Sequence, residues 1–342
     1  MRTLLDRGQT ALEIAREVAS FLDAAERTLD VALYDLKLDG EEERPVSEAL
    51  VGAQHRGVRV RVLYNVDHPG PIPVPAPPSH VPDALEALPV ETRAVPGVPD
   101  LMHHKYAVRD GLAVLTGSAN WTEDSWSRQE NVMAIVRSPA VASAYVRDFE
   151  QLWSGSVQSS GDVDATPAAV GGATVRAWFT PGRAQSLAHR IATKIDRARR
   201  RVRVCSPVIS SGPILGTLAQ VATDDRADVT GVVDATQIAQ VVDQWRINGN
   251  AAWKIPLLET VVERASFTGK RSTPWRPGSL HDYMHAKVTV CDDTVFLGSF
   301  NLSRSGEMNA ENVLEIHDPG LADRLAGYVD GVRASYPAVA IE

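Results

Sequence analysis

Met102-His103-His104-Lys105-Tyr106-Ala107-Val108-Arg109-Asp110 and Met284-His285-Ala286-Lys287-Val288-Thr289-Val290-Cys291-Asp292 are two renderings of one pattern, H-x-K-x4-D. Each runs into an apolar stretch that ends in G-S-x-N: Gly117-Ser118-Ala119-Asn120 in the first copy, Gly298-Ser299-Phe300-Asn301 in the second. Ten residues past each Asn stands a Glu-Asn pair, Glu130-Asn131 and Glu311-Asn312. With nine histidines and six lysines in 342 residues, the H-x-K-x4-D pattern arises by chance on the order of 0.01 times, so two copies with matching followers mark an internal repeat.

The spacing has a physical reading. Residues i and i+2 of a strand share a face, so His103 with Lys105, and His285 with Lys287, each present an imidazole beside an ammonium. The Asp falls in a turn, because Asp110-Gly111 and Asp292-Asp293 separate two apolar runs in the manner of a hairpin. The return strands, residues 112–116 and 294–297, bring Ser and Asn back beside the His. Such a hairpin collects an imidazole, a cation and amide or hydroxyl donors, a set suited to an anionic phosphoryl group.

The paired pattern resembles the phospholipase D superfamily, and the duplication covers nearly the whole chain. The resemblance implies a metal-independent phosphodiesterase without a cofactor, in which both motifs meet at one site. One His attacks phosphorus to give a phosphohistidine, and the other protonates the leaving alcohol. By the family's usual pattern His103 is the nucleophile and His285 the acid, although the two copies are alike enough for the roles to be exchanged. Lys105, Lys287, Asn120 and Asn301, with Ser118 and Ser299, are the expected phosphate partners. Glu130 and Glu311 are expected to accept a proton from the second imidazole nitrogen, as the Asp of a Ser-His-Asp triad does. Asp110 and Asp292 are read as holding their hairpins, and His104, His281 and Tyr106 as packing or rim residues.

Around the motifs, strands alternate with helices. Helical stripes cover 10–27, 45–55, 139–153, 185–200 and 214–222, and strands are expected at 28–35, 58–64, 130–136, 201–206 and 228–233. Helix, strand, helix, strand, loop, motif hairpin, strand and helix thus occur twice. The fold class is α/β, with two homologous α/β/α halves sharing an active site between them: residues 1–155, a Ser/Gly/Ala-rich linker at 156–173, and residues 174–342. Both motifs lie in one chain, so a monomer suffices and no obligate partner is implied. Residues 67–100, dense in proline, suit neither a long helix nor a central strand and are a candidate wall of the site.

Composition, 44% hydrophobic and 23% charged, is that of a globular protein. No apolar run is long enough to span a bilayer, and the N-terminus lacks a signal-peptide core, so a cytoplasmic location is expected. Cys205 and Cys291 read as buried thiols. The net charge of −8 offers no global footprint for nucleic acid. Within residues 244–280, however, Trp245, Arg246, Trp253, Lys254, Lys270, Arg271, Trp275 and Arg276 gather into a locally basic, aromatic insertion, a candidate substrate groove. A nuclease is therefore the favoured reading. A phospholipase D or a cardiolipin-synthase-like phosphatidyl transferase is the alternative, and an inactive scaffold comes third.

Overall fold

A computed structural model of the protein describes residues 1–37, 40–66, 83–276 and 278–341. In the first half the strands are β1 (Arg2–Leu4), β2 (Thr28–Leu33), β3 (Arg59–Val66), β4 (Glu91–Pro96), β5 (Lys105–Arg109), β6 (Ala113–Gly117) and β7 (Asn131–Arg137). In the second they are β8 (Ala168–Val170), β9 (Ala173–Thr180), β10 (Arg201–Cys205), β11 (Asp228–Asp234), β12 (Thr268–Lys270), β13 (Val288–Cys291), β14 (Thr294–Gly298) and β15 (Glu311–His317). The sheet orders are β1-β7-β6-β5-β2-β3-β4 and β12-β11-β10-β13-β14-β15-β9-β8. Read in opposite directions they are the same sheet, with β8 added at one edge. In each, three strands at one end run parallel (β2, β3, β4; β10, β11, β12) and the motif hairpin pairs antiparallel beside them.

The helices are α1 (Ala11–Asp23), α2 (Arg44–His55), α3 (Asp83–Glu86), α4 (Glu123–Ser127), α5 (Pro139–Ser154), α6 (Ala184–Arg197), α7 (Gly212–Asp224), α8 (Ala235–Asn248), α9 (Ile255–Arg264), α10 (Arg304–Met308) and α11 (Pro319–Ala334). Their starts are written locally. Ser138 and Asp318 cap α5 and α11 through the amides of Val141 and Leu321, each with Pro at the first helical position. Helices α1 and α2 cover the outer face of the first sheet, and α6, α7 and α9 that of the second. Between the sheets lies a single core shared by both halves, in which Tyr145 and Phe149 of α5 and Leu325 and Val329 of α11 join Tyr106, Val114, Val288 and Leu297. The halves are thus packed as one apolar body, which fixes the motifs relative to each other.

Three expectations need adjustment. Residues 156–173 are not only a linker, because β8 within them joins the second sheet. The strands β1 and β9, which pair with β7 and β15, lie outside the expected strands. The proline-dense residues 67–82 lie outside the described residues, whereas residues 91–96 of that stretch form the edge strand β4. Cys205 and Cys291 are free and buried. Among the described residues no helix is long and apolar enough to cross a membrane.

The motif aspartates hold their hairpins as expected. Asp110 (φ 56°) and Asp292 (φ 50°) sit in left-handed turns, a conformation Asp tolerates better than most residues. The Asp110 carboxylate accepts from the amides of Glu26, Arg27 and Thr28, and that of Asp292 from Arg199, Arg200 and Arg201. Burial works against these carboxylates, yet the backbone amides hold both below the usual Asp range. Replacing Asp110 by Ala strands three amides at the entry of β2 and is expected to cost roughly 2 kcal/mol, measurable by urea denaturation. Because the folded pKa is depressed, the stabilisation is present above the ordinary Asp pKa and is lost as the pH falls through the folded value. The mutant should therefore lose less stability than the wild type on acidification.

Candidate active site

Each motif His stands just ahead of its strand, on a segment stitched to the opposite half. The amide of His103 donates to Ala310 O (2.9 Å) and that of His285 to Glu130 O (3.2 Å). Bridge pairings Met102 with Ala310 and Glu130 with Met284 flank them. The lysines repeat the symmetry: Lys105 Nζ donates to His103 O and Lys287 Nζ to His285 O, both at 2.7 Å. All four side chains are buried. Glycine opens each G-S-x-N because a Cβ at Gly117 or Gly298 would collide with the carbonyl of Val132 or Asn312 on the neighbouring strand.

The second imidazole nitrogens break the symmetry. His103 Nδ1 meets the Glu311 carboxylate of the opposite half, 2.8 and 2.9 Å from its two oxygens. By the pseudo-two-fold, Glu130 should serve His285, and it does not. Lys270 Nζ (3.1 Å) and the Tyr336 hydroxyl hold the Glu130 carboxylate, and Asp6 and Arg128 O complete the partners of that lysine. His285 Nδ1 faces Asn131 Oδ1 instead, at 3.2 Å. The amide orientation is fixed by its other contacts: Nδ2 reaches the carbonyl of Ser125 (3.1 Å), which can only accept, while Oδ1 accepts from Ser118 Oγ (2.7 Å). So Nδ1 of His285 carries the hydrogen, and Nε2 is the nitrogen left for proton exchange. The expected role of Glu130 is thereby corrected: its carboxylate is consumed by a structural ion pair.

Ser118 and Ser299 are corrected in the same way. Both are turned into the fold, where Ser118 Oγ also accepts from Val132 N and Ser299 Oγ from Asn312 N, and the Ser299 hydroxyl supports the Glu311 carboxylate. Asn120 and Asn301 stay at the site, lining its cavity with side-chain oxygens that have no hydrogen-bond partner, while Asn120 Nδ2 lies 3.4 Å from Asp35 Oδ2. His104 belongs to a structural network between the halves, with Nε2 3.1 Å from Asp148 and Nδ1 3.2 Å from Asn312 Nδ2. Tyr106 donates to the same Asp148.

Electrostatically the empty site is strained by its own cations. Burial, and then Lys105 and Lys287, push the His103 imidazole well below the ordinary histidine range; burial and the same two lysines do so for His285. Burial lowers Lys105 to about 7 against the pull of Glu311 and Asp35, and drives Lys287 well below the usual lysine value. Burial also raises Glu311 to about 7, partly offset by Lys105. An anion bound here would favour the protonated forms of both lysines and both imidazoles.

Both imidazoles open into one cavity of about 310 Å³. Its walls include Tyr34 and Asp35 at the end of β2, Gln129, Tyr283, His281 and the Gln237-Gln240-Gln244 face of α8. The Tyr34 ring packs edge-on to His103, with centroids 4.6 Å apart, and lies 4.7 Å from Lys105 Nζ. Among the described residues no Lys or Arg lines the cavity.

The expected basic groove does not form here. Of its residues only Trp275 lines the cavity. Trp245 is buried in the second-half core, Lys254 donates to Ser210 O, Lys270 holds Glu130, and Arg276 is fixed through its amide to Ser279 Oγ. Arg246 and Arg271 line a separate groove between α8 and residues 337–341, and Trp253 is exposed. The wall of the cavity comes from α8, whose amide side chains carry no charge signal in the sequence. Asn131 was equally silent, because spacing locates a follower but not its partner.

Two H-x-K hairpins meeting at one cavity between two such sheets are the arrangement of the phospholipase D superfamily. The chain belongs to the family described as cardiolipin synthase, PLD-like domain, whose model matches residues 18–153 and 191–332. It is 34% identical over 130 residues to a mitochondrial cardiolipin hydrolase of Xenopus laevis, a stretch covering 38% of this chain and 56% of that one. It is 26% identical over 137 residues to a phospholipase D of Rickettsia conorii, covering 39% and 60%. The chain thus spans a little over half the length of these curated relatives. In fold it is similar to phosphatidylserine synthase of Haemophilus influenzae, with a TM-score of 0.66 at 15% identity, covering 97% of this chain and 87% of that one.

Proposed function

We propose that the protein cleaves or transfers the headgroup phosphodiester of a phospholipid through a phosphohistidine on His103. The carrying observation is the cavity itself. Its lining holds both catalytic imidazoles, amide, hydroxyl and aromatic groups and the Asp35 carboxylate, with no Lys or Arg among the described residues, which suits one phosphodiester and not a run of them. A polynucleotide would need a cationic track for successive phosphates, and none of the basic residues expected to supply one lines the cavity. The names of the curated relatives, cardiolipin hydrolase and phospholipase D, support the same choice.

In this reading Glu311 accepts the Nδ1 hydrogen of His103, leaving the Nε2 lone pair to attack phosphorus in line. The arriving phosphate raises the proton affinity of Lys105, Lys287 and His285, so binding takes up protons. The lysines, with Asn120 and Asn301, then balance charge on the equatorial oxygens. His285 gives its Nε2 proton to the departing alkoxide as the P–O bond breaks. It next takes a proton from water or an alcohol, whose oxygen attacks phosphorus and breaks the P–N bond.

The test is release or transfer of headgroup from phosphatidylglycerol or cardiolipin vesicles in EDTA, run beside single-stranded DNA. Lipid turnover with DNA untouched is expected; DNA cleavage with lipid untouched would restore the nuclease. The pH dependence of kcat/KM should be bell-shaped. Its acid limb follows the ionisation of Glu311, which burial raises to about 7, His103 being already neutral there. Activity declines on the alkaline side as Lys105, lowered to about 7, and Lys287 and His285, also lowered by burial, lose their protons in the free enzyme.

A further inference from the structure

We infer that Ile247 and Trp253 form an interfacial anchor that seats the mouth of the active-site cavity on a phospholipid bilayer. This rests on the phospholipid reading of the site. Among the described residues these are the two most exposed large apolar side chains, at 82% and 59%, with Leu112 next at 48%. They lie six positions apart, where α8 turns back toward α9. Single exposed apolar residues are common on protein surfaces, so the argument rests on where these two stand.

Both stand next to residues that line the cavity. Gln237, Gln240 and Gln244 of α8 line it, at spacings of three and four that keep them on one helical face. Ile247 is the next position on that face, one turn beyond the wall. On the other side, the Trp253 indole lies over Gly212, where a Cβ would sit 3.6 Å from its Cη2. Lys254, its neighbour, donates to the carbonyl of Ser210 (2.7 Å), which lines the cavity. An apolar tooth thus extends from each of two walls of the same opening.

The surrounding charge suits a lipid surface. Lys254 Nζ lies 5.6 Å from the rings of both Trp245 and Trp253. Arg304, whose amide donates to Ser210 Oγ, and Arg246 add two cations, with Glu307 and Asp243 as their acidic neighbours. The balance is positive in a chain of net charge −8. Tryptophan favours the headgroup level and isoleucine the acyl boundary, while arginine and lysine meet the phosphates. In this arrangement the bilayer lies against the opening, and a headgroup reaches His103 and His285 without the lipid leaving the membrane.

The experiment compares the wild type with the double variant I247S/W253S, both positions being outside the catalytic set. Co-sedimentation with vesicles of equimolar phosphatidylglycerol and phosphatidylcholine should weaken at least tenfold in the variant. Turnover of vesicle lipid should fall at least tenfold, while turnover of monomeric dihexanoylphosphatidylglycerol stays within twofold, which also shows that the variant is folded. Equal sedimentation of the two proteins overturns the anchor. So does a wild type that turns over vesicle lipid without binding vesicles, and a concentration-dependent dimer lost in the variant would then assign the patch to a second copy. A wild type inactive on both lipid forms refutes the substrate reading, and the sedimentation result still decides the anchor separately.

Discussion

On a phosphodiester with a p-nitrophenolate leaving group, the His285→Ala protein is expected to release about one equivalent of nitrophenol in a burst and then stall, whereas His103→Ala releases none. Nitrophenolate departs without a proton, so the first step needs only the nucleophile. The second step needs a base to activate water, and His285 is that base. With an ordinary alkoxide leaving group both variants should lose on the order of 10⁴-fold in kcat/KM, because each step then needs both imidazoles. Rapid-quench measurement of nitrophenol and of label retained on the protein reads the two cases directly. A burst in His103→Ala and none in His285→Ala would exchange the roles. The present assignment comes from the unequal partners. Glu311, 2.8 Å from His103 Nδ1, can balance the positive charge an attacking imidazole acquires, whereas the neutral amide of Asn131 opposite His285 leaves that ring readier to give its proton away.

Lys287→Met should separate stability from activity. The ammonium is buried beside Lys105, and burial drives its proton affinity down. Methionine matches the length of the stem without the charge. Removing a poorly solvated cation is expected to add about 1–2 kcal/mol to the free energy of unfolding at neutral pH, even after the bond to His285 O is lost. The sign follows from linkage. Between the depressed folded value and the ordinary lysine value the unfolded chain binds the extra proton, so wild-type stability rises with pH across that window. The advantage of the variant should shrink toward pH 10 and be greatest on the acid side. Catalysis moves the other way, because a cation that stabilises the equatorial oxygens is typically worth about 10²–10³-fold. Denaturation midpoints at several pH values, with kcat/KM on the same protein, check both halves. A variant that is less stable at neutral pH would show that the lysine is a structural member of the fold and not a cation held in reserve.

Much of this was legible before the structure. The two H-x-K-x4-D stretches define the repeat, and the hairpins, the parallel strands beside them and the long helices α5 and α11 follow from alternation, capping residues and proline at helix starts. The turn role of Asp110 and Asp292 followed from the Asp-Gly and Asp-Asp pairs. The edge strand β1 was hidden because three residues give no period to read, and β9 because it follows a stretch rich in Ser, Gly and Ala that reads as loop. At the site, spacing located Glu130 and Glu311 equally well, but it says nothing of Lys270 and Tyr336, which arrive from residues 140 and 206 positions away and claim Glu130. The basic insertion shows the same limit: charge along a sequence shows which residues are cationic, not where the fold places them.

The unequal partners of the two imidazoles bear on how such a site can be inherited. A site built from two identical chains must spell both of its histidines and both of its carboxylates with the same codons, so any change at one Glu is imposed on the other. Here the two copies are separate text. Both copies still read Glu-Asn, yet Lys270 and Tyr336 claim Glu130 and leave Asn131 to face His285 without disturbing Glu311. Duplication within one gene thereby releases the surroundings of the acid and the nucleophile to be tuned independently, and the lysine and tyrosine gathered around one carboxylate are where the two copies part.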